Sequence, residues 1–131
     1  MLVRDFWLSC ANNRFDHANY VLEIMTSPPT LHEYHLVFAA VCYRGHMDMA
    51  KWLLKCEPNL NISYCNELPF RHACRNNHLE MAQWLLSIKP DINISAEDCE
   101  AFRSANKRNY VAMAQWLLSL EPSKYAKVKK E

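Results

Sequence analysis

At 131 residues, 50% of them hydrophobic, the chain has the size and apolar content of one folded domain rather than of a disordered segment. A formal net charge of +1 gives no global case for binding nucleic acid or a membrane surface, and no apolar run approaches the ~18 residues needed to cross a bilayer. The single glycine, Gly45, excludes glycine-rich phosphate loops and disfavours folds built on tight hairpins, which leaves helices joined by short connections.

The chain is periodic. The block Met-Ala-Lys/Gln-Trp-Leu-Leu stands at 49–54, 81–86 and 113–118, 32 residues apart each time. Such self-similarity marks a stacked repeat. Phe6, Phe38, Phe70 and Phe102 are successive partners in this register, as are Cys10, Cys42, Cys74 and Asn106. Tyr20 aligns with Trp52, Trp84 and Trp116, and Pro58, Pro90 and Pro122 close three units where Thr26 stands in the first. The register predicts one domain over 1–122 made of four units, 1–29, 30–61, 62–93 and 94–122, followed by a Lys-rich tail at 123–131 read as a disordered terminus.

In chain order, unit one opens with Met1-Leu2-Val3-Arg4-Asp5-Phe6, which is broken by charges and reads as repeat rather than signal peptide. Trp7 stands where later units carry Ala39, Arg71 and Arg103, so an aromatic is expected at the open N-terminal edge, as a cover or as a contact between copies. Thr30-Leu31-His32-Glu33 has the form of a capping box before the first helix of unit two. In unit three a first helix is expected over Asn66–Arg75, with Phe70, Ala73 and Cys74 at helical spacing and Pro69 in its first turn. Asn76-Asn77-His78 interrupts it. A second helix then carries Leu79, Ala82, Leu85 and Leu86, and Pro90 stops it. The link Asp91-Ile92-Asn93-Ile94 is expected to be extended, with Ser95 (like Ser63) capping the next helix. The first helix of unit four is more polar than its equivalents, as a solvent-facing end requires. Alanine, serine, valine and cysteine at the inner positions let helices approach closely, and the Phe and Trp ladders fill the space between units. One helix pair cannot bury its apolar face alone, so the stack is the fold.

This pattern resembles the ankyrin repeat family. Leu68-Pro69-Phe70-Arg71-His72-Ala73-Cys74-Arg75-Asn76-Asn77-His78, continuing to Ala82, Leu85 and Leu86, follows the family's core motif, Gly45-His46 its inter-helix turn and Asp91-Ile92-Asn93 its closing segment. The wording of the repeats is similar to that of divergent ankyrin repeats in giant DNA viruses. The resemblance implies an all-α solenoid of four stacked helix-turn-helix units that acts as a protein-protein interaction module, with a host factor as partner if the source is viral. The period of 32 instead of 33 and the missing turn glycines imply plain loops in place of β-hairpin fingers.

Candidate chemistry reads as packing. Cys10, Cys42 and Cys74 lie one per unit, about a helix spacing of ~10 Å apart, too far for disulfides. Cys56 fills a slot that is Ile24, Ile88 and Leu120 elsewhere, while Cys65 and Cys99 fall at loop-to-helix junctions and are expected to be more exposed. His72, Cys74 and His78 are the nearest thing to a ligand set, without zinc-site spacing. No cofactor or metal is expected, and no nucleophile, base and acid are spaced as a catalytic set, so the chain is read as non-enzymatic. His46 and His78 recur at the inter-helix turn, where an imidazole can donate to a loop carbonyl.

Scaffold positions repeat and contact positions vary. The variable positions at the ends of the first helices are Tyr43, Arg44, Arg75, Asn76, Lys107 and Arg108, and those at the loops and helix starts are His32, His35, Tyr64 and Glu67. They predict a concave stripe of cations with tyrosines beside it, the residue types enriched at interface hot spots. The implied partner is an acidic or phosphorylated protein. The chain is expected as a monomer or weak homo-oligomer without membrane contact, in the cytoplasm (the host's, if viral), the nucleus and the virion being the other compartments. Two other readings stand beside it: an assembly protein that associates through its repeat ends, and nucleic-acid binding through the Arg/Lys row and tail.

Overall fold

The computed structural model describes residues 2–120, so Pro122 and the Lys-rich tail lie outside the described residues. Eight helices occur among them: α1 Leu2–Ala11, α2 Phe15–Ile24, α3 Leu31–Arg44, α4 Met47–Cys56, α5 Tyr64–Arg75, α6 Leu79–Ile88, α7 Ala96–Lys107 and α8 Val111–Leu120. No strand occurs among the described residues. The odd-numbered helices pack on one another in sequence, and α2, α4, α6 and α8 each pack on the inner helix that precedes it. The result is an all-α repeat solenoid.

The apolar seam follows the register. Phe6, Phe38 and Phe70 are fully buried in one column, with Met49, Met81, Met113, Leu53, Leu85 and Leu117 beside them at zero to 2% exposure. Phe102, at the end of the column, is 8% exposed. The tryptophans of the outer helices reach back across the seam: Trp52 lies 6.3 Å from Phe6, and Trp116 lies 6.2 Å from Phe70. Tyr20, at the same register position, is 57% exposed. Trp7 is part-buried against the core.

Each inner helix ends in the same way. Asn13, Gly45, Asn77 and Asn109 share one register position and all have positive φ, from 59° to 74°. Asparagine and glycine are the residues that enter this region at least cost. The next residue's N–H then bonds back to the helical carbonyl five residues earlier, as His46 N does to Val41 O at 3.2 Å and His78 N to Ala73 O at 2.8 Å, which closes a Schellman turn. At Gly45 the side chain of the next unit adds a second reason for glycine. A Cβ there would sit 2.5 Å from His78 Nδ1, because the His78 ring lies over the turn with Nε2 2.9 Å from the Tyr43 carbonyl. The acceptor is a carbonyl in the last turn of α3 rather than the loop carbonyl expected of a turn histidine.

The helix starts divide into two kinds. Thr30 forms the expected capping box, accepting from Glu33 N at 3.2 Å while Glu33 Oε1 accepts from Thr30 N at 2.7 Å. Ser63 and Ser95 do not cap: neither side chain accepts a helix N–H, and both hydroxyls are buried without a partner among the described residues. The link is not extended either. Asn61 and Asn93 turn the chain by accepting from Ser63 N and Ser95 N at 3.0 and 3.1 Å. Three left-handed residues follow in each case, Cys65, Asn66 and Glu67 at φ 56°, 55° and 64°, and Glu97, Asp98 and Cys99 at φ 56°, 56° and 60°. Left-handed conformations cost roughly 1–2 kcal/mol per non-glycine residue, and an arginine one turn on offsets part of this. Arg71 Nε and Nη2 donate to the carbonyls of Asn66 and Cys65 at 2.9 and 3.0 Å. Arg103 repeats the clamp on Asp98 and Glu97 at 2.7 and 3.2 Å. In unit two Ala39 holds this position, and there the chain enters α3 right-handed.

Candidate functional site

With neighbours on both sides and an outer helix behind, each inner helix keeps one open face. Its residues recur at i, i+4 and i+7, which lie on one side of a helix. The first row is Arg4, Leu36, Leu68 and Glu100; the second is Leu8, Ala40, His72 and Ser104; the third is Ala11, Tyr43, Arg75 and Lys107. Leu8, Leu36 and Tyr43 are 39%, 43% and 45% exposed. Over units one and two the face is mostly apolar, although Arg4 is exposed in its first row and Ala11 in its third is buried. Over units three and four it carries Arg71, Arg75, Glu100, Arg103 and Lys107.

The residues singled out from the sequence separate into two groups at opposite ends of the inner helices. At the C-terminal ends, Tyr43, Arg44, Arg75, Lys107 and Arg108 are exposed and Asn76 is half-buried. Arg44 Nη1 reaches Asn12 Oδ1 of the preceding unit, and Arg108 Nη1 the carbonyl of Arg75, each at 3.4 Å. Asn76 turns its amide onto the His72 carbonyl at 2.9 Å. Arg75, Lys107 and Arg108 join Glu100, Arg103 and Ser104 around a hollow of about 210 Å³. His72 lies beside it with the Tyr43 ring edge-on at 5.1 Å. Burial, and then the Arg71 charge, push the His72 pKa down, with Arg75 adding to this and Glu100 opposing it.

At the N-terminal ends the picture differs from expectation. His35 and Glu67 are buried, at 8% and 6% exposure, rather than displayed. They occupy the same register position and serve the same purpose. His35 Nε2 accepts from Asn61 N at 2.9 Å, and Glu67 Oε2 accepts from Asn93 N at 2.8 Å, so each holds the loop that leads into the next unit. A side chain that did not repeat by type repeats by task. Tyr64 stacks on His35 at 4.5 Å and shares a 2.8 Å hydrogen bond with exposed His32 Nδ1. These three form an aromatic clasp between units.

Leu8, Leu36, Glu100 and Arg103 were missed. The sequence signal for the first three was the i, i+4, i+7 open stripe itself, which includes varied positions in mid-helix as well as at the helix ends; Arg103 lies outside those rows and carried no such signal. Glu100 is held by Arg71 Nη1 at 3.0 Å across the seam between units.

Other chemistry is tied up in packing. Burial raises the Cys10 thiol to about 12 and pushes Cys42 and Cys74 further up. Cys65 is exposed as expected, whereas Cys99, at the register position of buried His35 and Glu67, is buried at 8%. Cys74 lies in the core apart from His78, and among the described residues no three His, Cys, Asp or Glu side chains converge on a metal-sized site. Ser9 and His17 approach within 2.7 Å, but the Ser9 hydroxyl donates to the Asp5 carbonyl at 2.7 Å. Its oxygen can then only accept from the imidazole, the reverse of nucleophile activation.

A family model described as ankyrin repeats (3 copies) matches residues 7–98 and 36–129. No curated protein matches the chain.

Proposed function

The chain belongs to the ankyrin repeat family, and from this premise we propose that it binds an acidic or phosphorylated protein segment across the open face of its inner helices. Ankyrin repeats are generic protein-protein interaction modules, and in a solenoid the exposed inner-helix face is the extended surface used for recognition. One observation supports the finer reading. On a chain of net charge +1, this face runs from Leu8, Leu36 and Tyr43 to a hollow with four cations and one carboxylate. From unit two to unit four is about two helix spacings, ~20 Å, the reach of about six residues of extended chain. The segment that fits has apolar side chains at one end and negative charge at the other. The similarity of the repeats to those of giant DNA viruses directs the search to host proteins.

The test compares capture from a cell lysate by the wild type and by the variant Leu36→Arg/Arg75→Glu/Lys107→Glu, with matched unfolding curves. A protein retained by the first and lost by the second supports the reading, and identical capture overturns it. Self-association is a second reading, favoured by exposed apolar side chains on the outer helices of both end units: Tyr20 and Ile24 at 57% and 45%, Val111 and Leu118 at 60% and 42%. Light scattering separates the two, since a stable oligomer supports assembly and a monomer at high concentration removes it.

A further inference from the structure

We infer that the hollow between α5 and α7 is a phosphate site, which receives the phosphoryl group of a phosphoserine or phosphothreonine in the bound segment. This rests on the protein-binding reading and narrows it to one chemistry at one place. Arg75, Arg103, Lys107 and Arg108 line the hollow, with Glu100 as the single carboxylate, and Glu100 is also engaged by Arg71.

Cations gather at helix C-termini for an ordinary reason, because they meet the negative end of the helix dipole. That accounts for Arg75 and Lys107, the last residues of α5 and α7, and for Arg108 as the cap. The dipole does not bring in Arg103, which its clamp on the left-handed turn places one turn before Lys107 in spite of the repulsion between like charges at i and i+4. Nor does it account for two helix ends pooling their cations in one concavity.

The geometry suits phosphate. Clamping by Nε and Nη2 on the Asp98 and Glu97 carbonyls fixes the plane of the Arg103 guanidinium while the residue still lines the hollow. Arg75 lines the hollow from α5, and Arg103 and Arg108 line it from α7, so three arginines from two helices border one concavity. Guanidinium forks match phosphate oxygens in pairs. The Ser104 hydroxyl donates to the Glu100 carbonyl at 2.6 Å, which leaves the arginines as the donors to an anion. A phosphomonoester is close to dianionic at neutral pH and carries three strong acceptor oxygens, more than one aspartate or glutamate offers. At about 210 Å³, the hollow is smaller than the ~300–1,000 Å³ of pockets that enclose a whole small molecule. It fits one group presented from a longer chain.

The experiment titrates the full chain with a glycine-serine peptide carrying one phosphoserine, with its serine and aspartate counterparts, and with inorganic phosphate. Arginine Nε–H and backbone amide NMR signals give the readout. The phosphopeptide should shift Arg75, Arg103 and Arg108 saturably and bind about tenfold more tightly than the aspartate peptide, since hydrogen bonds to charged groups are the strong ones. Arg75→Gln, which removes a guanidinium with no bond to any described residue, should weaken binding about tenfold and leave the unfolding midpoint in place. Arg75→Lys keeps the charge without the fork and should restore binding only in part. Equal binding of the aspartate peptide or of inorganic phosphate overturns the proposal, as does an Arg75→Gln variant that binds normally. If a captured partner still binds after phosphatase treatment, the phosphate site falls while the interaction module stands.

Discussion

His35 and Glu67 meet the same demand with different chemistry. The loop N–H of the next unit needs an acceptor, and a buried donor left without one costs about 1–3 kcal/mol. His35 supplies neutral Nε2. Burial, and then the nearby His32, push its pKa below the ordinary histidine value, with Glu57 opposing. The folded state therefore holds the proton less tightly than the unfolded chain, whose histidine titrates near ~6.5. The stabilising contribution is complete above that value and is lost as pH falls through the lower folded pKa. His35→Gln keeps an acceptor in place and removes the titration. Urea unfolding at pH 7.5 and 5.5 should show a smaller loss of stability on acidification in His35→Gln than in the wild type. Equal losses in the two proteins would show that the Asn61–His35 bond does not govern this pH dependence. None of this was legible from residue type, because histidine in one unit and glutamate in the next look like variation.

The helix starts show how one residue sets the path of a whole element. Arginine at position 71 or 103 goes with three left-handed residues before the helix, while Ala39 goes with a threonine capping box and a right-handed entry. The guanidinium gives the turn's outward carbonyls a partner that water would otherwise have to supply. Arg71→Ala should therefore destabilise by about 1–3 kcal/mol, because it removes two bonds to carbonyls and the ion pair to Glu100. Arg71→Lys should recover only part of this, since one ammonium cannot reproduce the fork. Denaturant unfolding of the two variants checks the ranking, and an Arg71→Ala protein as stable as the wild type would refute the clamp. At this scale helix periodicity, the Pro69 position and the inter-helix turns at Gly45 and Asn77 were open to reading in advance. The serine caps were not, since Ser63 and Ser95 have the right type and place, yet the asparagine two residues before each makes the turn instead.

Across the whole molecule, stability comes from seams between neighbouring units, so the cost of a core deletion should depend on where in the stack it falls. Phe38 is fully buried between units one and three, while Phe102 at the end of the column is 8% exposed. Phe38→Ala should cost about 3–5 kcal/mol, the usual figure for a deleted core phenylalanine, and Phe102→Ala clearly less. Urea midpoints of the two variants decide this, and a larger loss for Phe102 would contradict a stack of equivalent seams. The surface follows the same logic. Scaffold positions repeat because every seam is alike, and the open stripe is free to change from leucine and tyrosine at one end to arginine at the other.

The sequence by itself determined the repeat, the helical class, the column of phenylalanines and the turns at Gly45 and Asn77. Each of these is written in spacing and residue type within one unit. Only the tertiary structure decided that His35 and Glu67 belong to the scaffold and that Ser63 and Ser95 cap nothing. It also showed that Arg75, Arg103, Lys107 and Arg108 share a single hollow. The reason is physical. A hydrogen bond from one unit to the next loop, or cations contributed by two neighbouring helices, joins residues about 26 to 33 positions apart, and no local period encodes which side chain will meet which.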